Sequence, residues 1–230
     1  MDTDLEQDSE NNSPSVGYPR KRRRTRRRLI DAGMVVLAER GPGNTSAGQI
    51  ATAAGVASGT FYNHFPSVDV FIDAVAQDLG TGIEIERDIL VEVEHDPAAR
   101  VAIGVLQLLE MADTDPVSAA AFVSLAAVRP DFRARIRALV GGAISDGVSA
   151  GSFDVVAGPA AVNAVLGATF QSMRSRVLGE TDHTEAVAVA RLILRLLGVP
   201  SADIATTVDR AAKAVADQAS AVAASGELRA

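Results

Sequence analysis

The stretch GQIATAAGVASGTFYNHF, residues 48–65, predicts two short helices joined by a tight turn. Its first apolar run is interrupted by Gly55 before it completes three turns. Glycine adopts the left-handed conformation that such a turn needs more readily than any other residue. Just upstream, Ser46 and Gln49 have the spacing of a capping box, which predicts where the first of the two helices begins. The stretch therefore has the pattern of a helix-turn-helix.

The second helix of this stretch has an apolar face and a polar face. Because successive helical residues are turned by about 100°, Phe61 and Phe65 share one face and Asn63 lies nearly opposite. Tyr62 and His64 flank the outer face, and the second helix of a helix-turn-helix can enter the DNA major groove in this way. An ordinary corner between two core helices is the alternative, but it leaves the outward Tyr62 and His64 unexplained.

The composition favours a helical protein that works in a reducing compartment. Apolar residues make up 47% of the 230 residues, many of them alanine, and alanine with leucine, arginine and glutamate favours helix over strand. The absence of cysteine excludes disulfides and thiolate metal sites. The sequence shows no signal peptide, and no apolar run approaches the ~18 residues of a membrane span. We therefore expect a soluble, cytoplasmic, all-α protein.

The charge of the chain is unevenly distributed. The net charge is -7, yet residues 1–19 carry five acids and no base, whereas RKRRRTRRR, residues 20–28, carries eight bases in nine positions. A charge run is often only a solvated tail, but this one leads directly into a helical pattern from Thr25, which favours an arm that meets a polyanion. We expect a disordered acidic tail over residues 1–19, and a DNA-binding domain with a basic N-terminal arm over residues 20–66.

The remainder of the chain predicts further helices and shows no convincing strand alternation. Recurring acid–Pro starts and Gly stops mark the ends of these helices, and Ser67 is placed to cap the first of them. The predicted helices lie near residues 68–94, 97–111, 116–128, 131–149, 159–178, 183–197 and 201–219.

Residues 26–67, RRRLIDAGMVVLAERGPGNTSAGQIATAAGVASGTFYNHFPS, resemble the TetR family of bacterial transcriptional repressors. The elements follow in the family's order: a first helix, a capped second helix, an Ala-Gly-Val turn and a recognition helix that ends in Phe-Tyr-x-His-Phe. The resemblance implies a homodimer in which each subunit has an N-terminal helix-turn-helix domain and a ligand-binding and dimerisation domain, here residues 67–222. The late helices 159–178 and 183–197 correspond to those that build the family's four-helix dimer interface.

The resemblance also implies a palindromic operator in double-stranded DNA and a small-molecule effector. By default the effector relieves repression, and the long helix that starts at residue 68 links its pocket to the DNA-binding domain. Co-repression and activation stay open as alternatives.

The candidate DNA-binding residues come partly from the resemblance and partly from the residues themselves. The resemblance places Ser46, Tyr62 and His64 near phosphates, whereas Asn63 is the best candidate for a paired contact to adenine. Where the family commonly has lysine at the start of the fourth helix, this chain has Val68. The basic arm is expected to compensate, either along the phosphate backbone or in an adjacent minor groove. The candidates are Arg20, Lys21, Arg22, Arg23, Arg24, Arg26, Ser46, Ser58, Gly59, Thr60, Tyr62, Asn63 and His64.

The candidate effector site is apolar, because every aromatic residue beyond position 80 is a phenylalanine. With no Trp or Tyr there, an aromatic cage for a cationic ligand is not expected. An apolar or acyl-like effector fits better, although the same residues would equally make an ordinary core. The candidate lining is Leu108, Met111, Phe122, Leu125, Phe170 and Met173, with Gln171, Gln107, Asn163 or Arg174 as polar anchors.

Two other classes of protein are weighed against a DNA-binding regulator. An enzyme is not expected, because His64, His95 and His183 lack metal-ligand spacing and no phosphate-cradling glycine motif is present. The sequence predicts neither a metal ion nor a cofactor. A membrane-surface protein anchored by residues 20–28 is the second alternative, but the adjacent apolar face of an interfacial helix is missing.

Overall fold

The computed structural model describes residues 17–93 and 95–227, with the side chains of residues 20–82 and 95–221. Within these ranges every regular element is a helix, which confirms the all-α prediction. Residues 1–16 of the predicted acidic tail lie outside the described part. The elements are α1 (Gly17–Arg40), a 3-10 turn (Pro42–Asn44), α2 (Ala47–Ala53), α3 (Ser58–Tyr62), α4 (Val68–Val93), α5 (Pro97–Thr114), α6 (Pro116–Val128), α7 (Pro130–Ser149), α8 (Pro159–Val177), α9 (Glu185–Leu196) and α10 (Ser201–Glu227).

The helix ends show where the sequence pattern was sufficient and where it was not. The predicted helices beyond residue 67 are confirmed, and most of their ends differ from prediction by three residues or fewer. The largest difference among them is α10, which extends to Glu227. In the N-terminal part, α1 begins at Gly17 rather than near Thr25. Five of the eight added residues, 17–24, are basic, so no apolar stripe marks them in the sequence.

Local signals set the ends of the N-terminal helices. Gly41 adopts φ 73° directly after α1, a conformation that favours glycine. The capping box at α2 is formed, since the Ser46 hydroxyl accepts from the Gln49 backbone N–H at 3.4 Å and the Gln49 side-chain oxygen accepts from the Ser46 N–H at 2.8 Å. Ser67 caps α4 by accepting from the Val70 N–H at 3.2 Å. Together these contacts confirm the predicted starts of α2 and α4.

Three aromatic rings hold α3 and the start of α4 against α1. Phe61, Phe65 and Phe71 are buried, and their ring centroids lie 5.0 to 5.6 Å apart. Phe71 approaches α1 at Gly33, where an added Cβ would lie only 2.1 Å from a carbon of the ring. The close approach therefore requires glycine at position 33.

The larger domain is built around α5, which packs against α6, α7, α8, α9 and α10. Aspartates cap the starts of α5 and α6. Asp96 accepts from the Ala98 N–H at 3.0 Å, and Asp115 accepts from the Ser118 N–H at 3.1 Å. Among the described residues, no helix combines the length and the apolar character that a membrane span requires.

The two parts of the chain meet mainly through α6, which packs along α1 more extensively than α4 does. The Ser118 hydroxyl of α6 donates to the sulfur of Met34 in α1 at 3.0 Å. After the C-terminal end of α6, Arg129 pairs with Asp69 at 3.2 Å and also with Asp73, both on α4. The predicted link through α4 is therefore accompanied by a second route through α6, which the sequence did not indicate.

Candidate nucleic-acid interface

The outer face of α3 is polar and open to solvent. The neighbouring residues Phe61 and Tyr62 show the division, since Phe61 is fully buried and Tyr62 is 58% exposed. The Tyr62 ring still meets the Phe61 ring edge-on, with centroids 5.4 Å apart. This face can enter a major groove about 12 Å wide. Of the candidates on and after α3, Ser58, Gly59, Tyr62 and Asn63 are exposed, whereas Thr60 and His64 are half-buried.

The turn between α2 and α3 is braced from α1. Gly55 has φ 63°, as the glycine corner predicted from the sequence requires. Arg28 donates to the Ala54 carbonyl at 2.7 Å and so satisfies a backbone acceptor at the end of α2. The sequence analysis missed this role for Arg28, because nothing in its local pattern distinguishes it from the other bases of the run.

The basic run divides into a part whose side chains have favourable intramolecular partners and a part that no carboxylate of the described residues pairs with. Arg26 lies over the ring of Phe65, 5.1 Å from its centroid. Arg27 pairs with two carboxylates at 2.8 and 3.1 Å, and Arg28 holds the turn. Residues 20–24, named here the basic face, are all exposed, and no carboxylate of the described residues pairs with them. The candidate Arg26 therefore has a structural contact, whereas the basic face is available to a polyanion.

His64 lies next to this basic helix. Its side chain is half-buried, and the pKa of His64 is lowered from 6.5 by burial and by the charges of Arg22 and Arg26. The free protein therefore holds His64 mainly neutral at neutral pH. An arriving phosphate would oppose the effect of the two arginines and favour the protonated ring.

The two remaining positions of interest lie at helix starts. Ser46 is exposed, and its hydroxyl also donates to the Gln49 side-chain oxygen at 2.9 Å. Val68 is half-buried and packs against the apolar core. It provides no charge at the start of α4, so a phosphate there has no partner from this position.

The candidate effector residues come together where α5, α6 and α8 pack on one another. Phe122, Leu125 and Met173 are at most 1% exposed, whereas Leu108, Met111 and Phe170 are half-buried and pack against the same core. The Phe122 and Phe170 rings meet edge-on at 5.7 Å. Gln171 is exposed and lies outside this group. The six apolar residues form one cluster, and in this structure they act as core.

A cleft of about 780 Å³ lies elsewhere, where the end of α5 meets the end of α8. Its floor contains Arg176, whose side chain is only 2% exposed and which pairs with Asp113 at 2.6 Å. Arg176 also donates to the carbonyls of Leu109 and His183 at 3.2 and 3.3 Å. The sequence analysis missed this arginine because its partners are distant in the chain. No group of acids and histidines among the described residues has the geometry of a metal site.

Comparisons with known proteins agree with this geometry. Residues 29–75 match the family model of the bacterial regulatory proteins of the tetR family. The structure of RolR in complex with resorcinol is 25% identical, with a TM-score of 0.60, over 84% of this chain and 96% of that chain. No curated protein matches the sequence.

Other solved structures share the fold at lower identity. FadR from Bacillus subtilis in complex with stearoyl-CoA is 20% identical, with a TM-score of 0.59, over 76% of this chain and 98% of that chain. The TetR family protein CprB from S. coelicolor A3(2) is 19% identical, with a TM-score of 0.67, over 84% of this chain and 97% of that chain. The similarity of fold therefore extends beyond the first helices to about three quarters of the chain or more.

Proposed function

We propose that this chain is a transcriptional regulator of the TetR family, a repressor which a small apolar effector releases from a palindromic operator. The observation that carries the proposal is the short helix α3, which is anchored by Phe61 and exposes the opposite face. We place the protein in the cytoplasm, where bacterial DNA lies. The chain acts by binding and not by catalysis.

We divide the chain near Pro66, with a DNA-binding domain over residues 20–66 and a ligand-binding and dimerisation domain over residues 67–222. On the first domain, the base edges are read by the exposed residues that start and follow α3. Asn63 pairs with adenine, and Tyr62 and His64 contact phosphates, as does Ser46 at the start of α2. The exposed positions of Ser58 and Gly59 let the backbone of α3 approach the groove closely.

The basic face contacts phosphates from the outside of the duplex. Residues 20–24 are helical, and a helix with side chains is about 10 to 12 Å across. A minor groove about 6 Å wide does not admit such a helix. Helical residues 20–24 therefore support backbone contacts rather than entry into the minor groove. Their charge compensates for the neutral Val68, and each neutralised phosphate adds to the salt dependence of binding.

A homodimer forms through α8 and α9, which pack side by side. α9 leaves Leu192 and Leu196 60% and 44% exposed, although large apolar side chains are favoured in the buried centre of an interface. On α8 the exposed face carries Gly167 and Ala168, which permit close approach of a partner helix. A two-fold dimer places two α3 helices on one side of the DNA and explains a palindromic operator.

The effector binds among the six apolar residues of α5, α6 and α8, with Gln171 at the margin as the polar anchor. RolR is known with resorcinol and FadR with stearoyl-CoA, so ligands of this fold range from a small phenol to an acyl chain. This chain lacks Trp and has no Tyr in this domain, which favours an apolar ligand. Because Phe122 and Met173 are closely packed, the ligand must separate α6 from α8.

Separation of these helices gives the effector a route to the DNA-binding domain. α6 contacts α1 through Ser118 and Met34, and Arg129 couples its end to α4. A ligand that displaces α6 therefore changes the position of α1 and of the start of α4. The effector shifts the population away from the DNA-competent form by its preference for the displaced arrangement.

Capture of genomic DNA fragments tests the proposal. The purified chain is expected to retain a small set of fragments that share an inverted repeat, and the Asn63→Ala variant is expected to lose this selection. The exposed Asp217→Asn variant, far along the chain on α10, serves as the control. Binding to anionic vesicles without selective retention of any DNA fragment would contradict the regulator and favour the membrane-surface alternative.

A further inference from the structure

The basic face carries an unfavourable concentration of charge in the free protein. The first turn of α1 contains no acidic residue and ends in Arg20, so a cation stands where the helix dipole favours an anion. Residues such as Arg20 and Arg24 are four positions apart in the helix, and like charges at this spacing repel each other. No carboxylate of the described residues offsets these charges. The free protein is therefore stabilised by any anion that reaches this end of α1.

The segment that directly precedes α1 is rich in acids, whereas the nearest acid on the other side, Asp31, is already paired with Arg27. Residues 1–16, named here the acidic segment, contain five acids within the first ten residues and no base. The six residues from 11 to 16 separate the last of these acids from the helix. Such a linker spans up to about 20 Å when extended, whereas the basic face is only about 6 Å long along the helix axis. The linker is therefore long enough for the acids to reach every base of the face.

We propose that the acidic segment binds the basic face and competes with DNA for it. Because both are in one chain, the segment is present at an effective concentration in the millimolar range. Non-specific DNA binding rests almost entirely on phosphate contacts, whereas operator binding adds base contacts made by α3. Operator DNA and non-specific DNA must both displace the segment from the basic face, so the competition weakens the phosphate-driven part of both. The acidic segment would therefore act as an autoinhibitory competitor that reduces the affinity of the protein for DNA.

This inference rests on the proposed function only in taking DNA as the competitor. Its first test compares the full chain with the variant D2N/D4N/E6Q/D8N/E10Q, which keeps the length of the segment and removes its charge. The probe is a short labelled duplex of arbitrary sequence, and binding is followed by fluorescence anisotropy between about 50 and 200 mM salt. The neutral variant is expected to bind about tenfold more tightly at the lower salt concentration.

A matched control separates local competition from the general effect of net charge. The variant E110Q/D131N/E185Q/D203N/D217N removes the same number of acids from exposed positions of the larger domain. It is expected to change the affinity less than twofold, since these carboxylates are not tethered to the basic face. Equal affinities of the full chain and of the variant D2N/D4N/E6Q/D8N/E10Q would overturn the inference. Equal gains in DNA affinity in this variant and in the control variant would also overturn it.

A second test needs no DNA. A labelled peptide of residues 1–16 is titrated with the full-length variant D2N/D4N/E6Q/D8N/E10Q, whose own segment no longer carries the acids, and saturable binding that is lost at high salt is expected. The same chain with residues 20–24 changed to glutamine is expected not to bind the peptide, and neither is a peptide with amides in place of its acids. Absence of binding up to about 1 mM would overturn the inference. Peptide binding by a chain that retains no DNA would instead contradict the proposed function alone.

Discussion

The DNA-binding domain and the larger domain arrange their candidate functional residues in opposite ways. In the DNA-binding domain, the residue that anchors α3 and the residue that faces outward are separate neighbours, the buried Phe61 and the exposed Tyr62. In the larger domain, the candidate effector residues are the anchors themselves, since Phe122 and Met173 are buried in the core. We therefore expect binding and stability to be separable in the first region and combined in the second.

The difference fits the ligand that we propose for each region. A DNA duplex is too large to enter a domain, so its contacts must stand on a surface that a small core supports. A small apolar molecule is best bound where water is excluded, and in a helical domain that place is the core. Substitutions in the two regions should therefore have different signatures, and three experiments examine this contrast.

The largest effect is expected from paired substitutions in α3. Phe61→Ala removes a fully buried ring and should destabilise the DNA-binding domain by about 3 to 5 kcal/mol. Tyr62→Ala should leave stability almost unchanged, while both variants lose DNA binding. Urea unfolding followed by circular dichroism, with fluorescence anisotropy for DNA, measures the two properties. A similar loss of stability in both variants would show that the faces of α3 are not separate.

A smaller effect is expected at the ion pairs of the larger domain. Arg176→Met leaves the Leu109 carbonyl without one donor and the Asp113 carboxylate without its pair, which should cost about 1 to 3 kcal/mol. The control is Arg191→Met, because its pair with Asp209 is exposed at both ends and should be worth less than about 1 kcal/mol. Thermal unfolding of both variants provides the comparison. An equal shift in melting temperature would contradict a structural role for the buried arginine.

The smallest effect is expected from the titration of His64. Burial and the charges of Arg22 and Arg26 lower its pKa in the free protein, whereas a bound phosphate raises it, so DNA binding takes up a proton. Affinity should then increase as pH falls through the region just below 6.5, and His64→Gln should remove this part of the dependence. The effect of pH on folding stability has the opposite sign. Because the unfolded chain binds the proton more readily, the contribution of His64 to stability is present above pH 6.5 and is lost as pH falls. Anisotropy titrations from pH 8 to pH 5.5 test the effect on DNA binding, and an unchanged slope in the variant would contradict it.

The comparison also explains how much the sequence could predict. The elements of the DNA-binding domain follow from signals that act over a few residues, such as Ser46 with Gln49 and the glycine corner at Gly55. The contacts that join the elements are distant in sequence and leave no local pattern. Arg28 is 26 positions from Ala54.

The functional assignments divide in the same way. The outward positions of α3 could be predicted because helical periodicity separates Phe61 from Asn63. The division of the basic run into paired and unpaired parts could not be predicted, because it depends on where Asp78 and Phe65 lie after folding. The candidate effector residues stay a prediction, because buried apolar residues at helical spacing have the same pattern whether they bind a ligand or only pack.

The contact between Gly33 and Phe71 has a consequence for motion in this protein. The Phe71 ring occupies the space that a side chain on α1 would need, so α1 and the opening turns of α4 are interlocked by shape. Sliding or rolling of one along the other would force the ring into the backbone of its neighbour. We therefore expect α1 and the opening turns of α4 to keep their relative position in any conformational change.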